Sequence, residues 1–137
     1  MRPPDPVVFV FGATGYVGAA ACEAAAREEH VARVVAHVRP GSSRAEALEN
    51  RLRARAPAVE IDRTPLEASA LARTLRELEP THVFLCHGTT ARRARAEGIE
   101  DPYATVDLGL TELVVGAAGE VDPPPRLVDL SAVGTSA

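Results

Sequence analysis

Residues 7–21 read VVFVFGATGYVGAAA: an apolar run, three glycines spaced three apart, then an alanine-rich segment. Val7–Phe11 is a continuous stretch of β-branched and aromatic residues, the pattern of a strand buried on both faces. Strands of that kind belong to parallel sheets whose two faces are covered by helices. Ala19–Glu29 is rich in strong helix formers, so Gly12, Gly15 and Gly18 mark a strand-to-helix turn. A chain that leaves a buried strand through glycine and enters a helix at once is building a βα unit.

The rest of the chain repeats that alternation. Val31–Val38 reads as a second strand ended by RPGSS. Ser43 is expected to cap a helix running through Arg55, with Glu46 at capping-box spacing. Val59–Ile61 is a short third strand, and Glu67–Leu78 a helix with Leu71, Leu75 and Leu78 on one face. Val83–Cys86 is a fourth strand closed by HGTT, and ARRARAEGIED reads as a solvated loop or helix edge. Asp101 and Pro102 open a helix expected to reach about Ala118, GEVDPPPR is a rigid connection, and Leu127–Leu130 begins a fifth strand. The order βαβαβαβαβ predicts one α/β domain over residues 1–137. Its doubly wound parallel sheet has right-handed crossovers and strand order 3-2-1-4-5.

Charge and composition exclude several classes of function. The formal net charge is -4, which implies neither general nucleic-acid binding nor adhesion to membrane surfaces. The chain shows no signal-like start and no apolar run of transmembrane length, so the expected compartment is the cytoplasm. Cys22 and Cys86 lie in apolar surroundings without metal-ligand spacing and read as small hydrophobes. All 15 basic residues are Arg, so no lysine-dependent mechanism can run within these residues.

The glycines have a physical reason to stand where they do. Gly12 permits the tight exit from the strand, Gly15 lets backbone approach a pyrophosphate, and Gly18 lets the helix pack closely on the strand. The new helix then offers free N–H groups and the positive end of its dipole to phosphates. A dinucleotide is therefore the expected partner, with Thr14, Tyr16 and Val17 joining the three glycines as cofactor-binding candidates.

VFGATGYVG closely resembles the first-turn motif of the short-chain dehydrogenase/reductase superfamily, in its extended and atypical forms. VVAHVRP is similar to the second strand of atypical members, including the NmrA-like group. VFLCHGTTARRARAEG followed by VDLGLTELVVGAA is similar to the Tat-interacting oxidoreductase-like subgroup. The resemblance runs over essentially the whole chain and implies a Rossmann-type fold and an NAD(P)-dependent oxidoreductase or epimerase/dehydratase. It also implies that Asp62 accepts a hydrogen bond from the adenine amino group, the alternative being a simple turn residue. Gly88 would let the chain pass the adenosine ribose and pyrophosphate, with Thr89 and Thr90 adding hydroxyl contacts. His87 reads first as a polar loop residue and only second as a catalytic base.

Cofactor preference and catalysis point in different directions. The end of the second strand carries Arg39, with Arg44 nearby, where an acidic residue would grip the ribose of NAD(H). A guanidinium matches a phosphate in charge and fork geometry, so NADP(H) is favoured over NAD(H), unless these arginines are merely surface residues. The family's Tyr-x-x-x-Lys pair is absent: Tyr16 and Tyr103 have no lysine four residues later. Ser131 is the weak catalytic candidate, Thr135 a remoter one, and no metal site is expected. The resemblance implies that the chain is the cofactor-binding half of a larger protein, acting on a small-molecule substrate only if the remainder is supplied. The alternative is a non-catalytic NADP(H)-binding sensor or protein-interaction module.

Overall fold

The computed structural model describes residues 5–87 and 109–129. Five strands, β1 (Val7–Phe11), β2 (Arg33–His37), β3 (Glu60–Asp62), β4 (His82–Leu85) and β5 (Arg126–Asp129), form one sheet. Its order is β3-β2-β1-β4-β5 and every neighbouring pair is parallel, as the alternation predicts. The helices between them are α1 (Tyr16–Ala26), α2 (Ala45–Arg55), α3 (Ala68–Leu78) and α4 (Gly109–Ala118).

Strand alternation sorts β1 onto two cores. Val8 and Val10 point to one face and pack with Ala19 and Cys22 of α1 and Leu48 and Leu52 of α2. Phe9 and Phe11 point to the other and pack with Leu71 and Leu75 of α3 and Val114 and Ala117 of α4. Leu78 joins this second cluster from its margin, completing the expected α3 face. The central strand is thus buried on both sides, whereas all four residues of β5 are exposed and it is paired on one side only.

Two boundaries differ from the sequence expectation for identifiable reasons. Helix α1 begins at Tyr16 rather than Ala19, because the Gly15 carbonyl already accepts the first helical bond from Ala19 N–H at 3.0 Å. Ser43 does not cap α2. The cap position is Arg44, without a side-chain cap bond, so Glu46 falls at the second helical residue rather than the third that a capping box needs. Ser42 Oγ accepts from the N–H of Arg44 at 3.3 Å, closing a local turn ahead of the helix rather than capping it. The expected start of the last helix at Asp101, and the segment ARRARAEGIED, lie outside the described residues.

Candidate functional site

The carboxyl ends of β1, β2 and β3 bring the predicted residues to one edge of the sheet. Gly12 leaves β1 with φ +76°, a conformation that side chains disfavour. A Cβ there would stand 2.4 Å from the His87 backbone nitrogen, so the turn is also pressed against the end of β4. Gly12 O accepts a bond from Gly15 N–H at 3.1 Å. The same oxygen would lie 2.0 Å from a Cβ on Gly18, so α1 sits directly on the turn. Gly15 is different: its nearest contact would be 3.5 Å away, which leaves the space before it open.

Of the three glycines, then, Gly12 and Gly18 are required by the protein's own packing, and Gly15 is not. Gly15 is the N-cap of α1, in extended conformation, and the first turn of the helix holds no acidic residue. Its N–H groups and dipole therefore meet no carboxylate from the helix's own first turn. Tyr16 and Val17 flank this opening, with Tyr16 88% exposed. Ala13 is fully buried beneath it.

The exit of β2 is a reverse turn. Ser42 N–H donates to Arg39 O at 3.0 Å, with Pro40 and Gly41 at the corners and Gly41 at φ +79°. Proline then glycine at the two central positions is the pattern of a type II turn. It lifts Arg39 onto the surface and delivers Ser43 and Arg44 to the start of α2. Between that start and the glycine turn lies a cleft of about 280 Å³ lined by Thr14, Ala19, Ser43, Arg44, Ala47, Leu48 and Arg51. Arg39 stands outside it.

Arg51 is fixed from below. Its Nε and Nη2 donate to Oε1 and Oε2 of Glu23 at 2.9 and 2.8 Å. The Glu23 side chain, on α1, is only 7% exposed, and Arg55 stands 3.8 Å from it as a second cation. The bond from Arg51 holds the Glu23 carboxyl below its ordinary range, and Glu23 in turn raises Arg51.

At the end of β3, both Asp62 oxygens are engaged by Thr64, through its N–H at 3.1 Å and its hydroxyl at 2.8 Å. The turn role weighed for Asp62 is thus present in the structure. Thr64 O meets His37 Nε2 at 2.9 Å, tying the turn to the end of β2. His87 Nε2 lies 3.0 Å from Thr111 Oγ1, which joins the end of β4 to α4. Burial pushes the Cys22 thiol up to about 12, with Cys86 and Glu23 adding to it, so it is not a thiolate at neutral pH. Gly88, Thr89, Thr90, Tyr103, Ser131 and Thr135 lie outside the described residues.

The sequence reading reached Gly12, Gly15, Gly18, Arg39 and Arg44 but missed Glu23 and Arg51. A signal for the cleft was present in the helical spacing, since Arg44, Ala47, Leu48 and Arg51 stand at i, i+3, i+4 and i+7. The partner Glu23 is 28 residues away from Arg51 and carries no local signal.

A doubly wound parallel sheet with an open helix N-terminus at its first βα turn defines the class of dinucleotide-binding α/β domains. The model of the NAD dependent epimerase/dehydratase family matches residues 8–136, and the chain belongs to that family. Solved structures with the same fold include the UDP-glucose-4-epimerase from Stenotrophomonas maltophila with bound NAD and formylated UDP-arabinopyranose. The chain is 18% identical to it, with TM-score 0.74, over 93% of this chain and 37% of that one. AtPrR2 with NADP+ and (+)pinoresinol is 16% identical, with TM-score 0.67, over 93% of this chain and 36% of that one. A putative epimerase from Burkholderia cenocepacia is 20% identical, with TM-score 0.65, over 97% of this chain and 40% of that one. The chain therefore spans well under half the length of these structures. No curated protein sequence matches it. Among the described residues, no helix is long and apolar enough to cross a membrane.

Proposed function

We propose that this chain is the NAD(P)-binding domain of a short-chain-type oxidoreductase or epimerase/dehydratase, with NADP(H) favoured over NAD(H). The observation that carries the reading is the division among the glycines. Gly12 and Gly18 are occupied by the protein's own contacts, while the space before Gly15 is open at a helix end whose first turn holds no acidic residue. A pyrophosphate fits that vacancy by charge and by close backbone approach. Gly12, Thr14, Gly15, Tyr16, Val17 and Gly18 would border the pyrophosphate. Asp62 would face the adenine from the end of β3, while Gly88 and Thr89 would follow β4 toward the ribose.

The preference for NADP(H) rests on Arg39 and Arg44 beside the β2 exit, where Arg39, Pro40, Gly41, Ser42 and Ser43 include no carboxylate to grip a ribose diol. A bound nicotinamide dinucleotide supplies hydride chemistry. The residues of this chain bind and orient it, and substrate contacts and proton transfer fall to the remainder of a longer protein. Its compartment on this reading is the cytoplasm.

Gly15→Val tests the reading, because valine accommodates the extended backbone at Gly15 while filling the open space. Calorimetry with NADPH should show binding to the wild-type chain and none to the variant, with the two circular dichroism melts nearly superimposed. Equal affinities would mean that the motif serves packing alone. Tighter binding of NADH than NADPH by the wild type would reverse the stated preference. A sensor without catalysis predicts the same binding, and substrate-dependent NADPH oxidation by a longer protein that carries this domain would exclude it.

A further inference from the structure

We infer that the cleft between α1 and α2 is the seat of a phosphate monoester on the dinucleotide's adenosine, with Arg51, set in place by Glu23, as a determinant of phosphate preference. This inference deepens the NADP(H) reading and rests on it. It moves part of the discrimination from the strand end, where Arg39 is, to the third turn of a helix.

Three features of the cleft argue for an anion of this size and charge. Thr14 and Ala19 make one wall, so the cleft opens directly beside the glycine turn and is continuous with the place of the pyrophosphate. Ser43, Arg44 and Arg51 are among the residues that make the other, so one hydroxyl-bearing and two cationic side chains border the same space. Ala47 lies in the same wall within the first turn of α2, whose dipole adds a positive field there. Among the described residues, neither Asp nor Glu lines the cleft.

The pairing with Glu23 explains why Arg51 suits this purpose better than an ordinary surface arginine. A long side chain loses rotamer freedom when it grips a ligand, and that loss opposes binding. Here the grip on Glu23 has already fixed the guanidinium through two of its five N–H donors. That grip leaves the other donors outside the Glu23 pair, on a residue that lines the cleft. Glu23 does not cancel the field, because Arg55 also stands beside its carboxylate and Arg44 lines the same cleft. Glu23 is thus a positioning residue, acting on the ligand only through Arg51. Arg39, outside the cleft, makes a separate contribution.

The probes are 2′,5′-ADP and 5′-AMP, which differ by the one phosphate in question. Their dissociation constants are measured by calorimetry on the full chain. The ratio of the two is unaffected by a partly unfolded sample, since both ligands bind only folded protein. The wild type should bind 2′,5′-ADP more tightly. The double variant Glu23→Gln with Arg51→Met removes both members of the pair, so the enclosed Glu23 carboxylate is not left without its partner. Its preference should fall roughly 10- to 100-fold, the loss expected for hydrogen bonds to a charged group. Glu23→Gln alone keeps the arginine but loosens it and should lower the preference part of the way. Arg51→Lys keeps the charge without the fork and should also fall short of the wild type. A wild type indifferent to the extra phosphate would overturn the NADP(H) reading, and this inference with it. A wild type that prefers 2′,5′-ADP, together with a double variant that retains the full preference, would overturn this inference alone.

Discussion

The two faces of the sheet are built from different material. Toward α1 and α2 the core is valine, alanine and cysteine with Leu48 and Leu52, and the Glu23–Arg51 pair links the two helices that cover it. Toward α3 and α4 it is Phe9, Phe11, Leu71, Leu75 and Val114, with the His37 imidazole 4.8 Å from the Phe11 ring. Small side chains let α1 and the glycine turn come into backbone contact. Large ones on the opposite face bury the area that holds the domain together. One face is organised for close approach and the other for volume, so the same change in size should act very differently on them.

The largest effect should come from the smallest addition. Gly18→Ala puts a methyl group where the Gly12 carbonyl oxygen and carbon and the Ala13 Cα already lie within 2.8 Å. No flexible side chain can yield there, so a loss of about 4 kcal/mol or more is expected, at the exceptional end for single substitutions. Urea unfolding measures it, and a variant of unchanged midpoint would show that the turn relaxes. Leu75→Ala makes the opposite change on the opposite face. Leu75 has 0% exposure, and truncation there should cost about 2–5 kcal/mol. NADPH affinity should survive at temperatures where the variant remains folded.

Arg39→Ala lies beyond both cores. On an exposed turn it should leave the urea midpoint unchanged while weakening NADPH binding by about 1.5–3 kcal/mol and NADH binding little. Equal losses for both cofactors would remove Arg39 from the phosphate's surroundings.

The smallest effect belongs to His37. Burial lowers its pKa below 6.5, against the smaller opposing influences of Thr64 O and Asp62. Because the folded state resists protonation, its contribution to stability is complete above about pH 6.5 and declines as the pH falls below that value. The slope is at most about 1.4 kcal/mol per pH unit. His37→Gln should flatten this part of the stability profile between pH 7.5 and 5.5. An unaltered profile would assign the dependence to other groups.

The same contrast governs what the sequence disclosed. The continuous apolar run of β1 and the leucine spacing of α3 are local, repeated signals, and both elements stand where the sequence puts them. The roles of Gly12 and Gly18 were legible because backbone proximity admits one residue type and leaves its mark. Ser43 misled because a favourable cap side chain does not oblige the helix to start there: α2 begins one residue later, from Arg44, with no side-chain cap bond. Glu23 was hidden for another reason. Within CEAAAREEH it resembles any charged residue of an exposed helix, and only the packing of α1 on α2 encloses it.

The hydrogen bond from Gly15 N–H to Gly12 O, closed in by Gly18, also bears on how fast a ligand can bind. A free glycine loop would wander among many shapes, and a nucleotide would have to wait for the competent one. Here that search is finished when α1 docks on β1, because the atoms that shape the turn are the atoms that join helix to strand. On the proposed reading, encounter with a nucleotide would then need no loop closure at this turn, and association would be limited by diffusion and orientation. Release, rather than capture, is where substitutions around the turn would be felt.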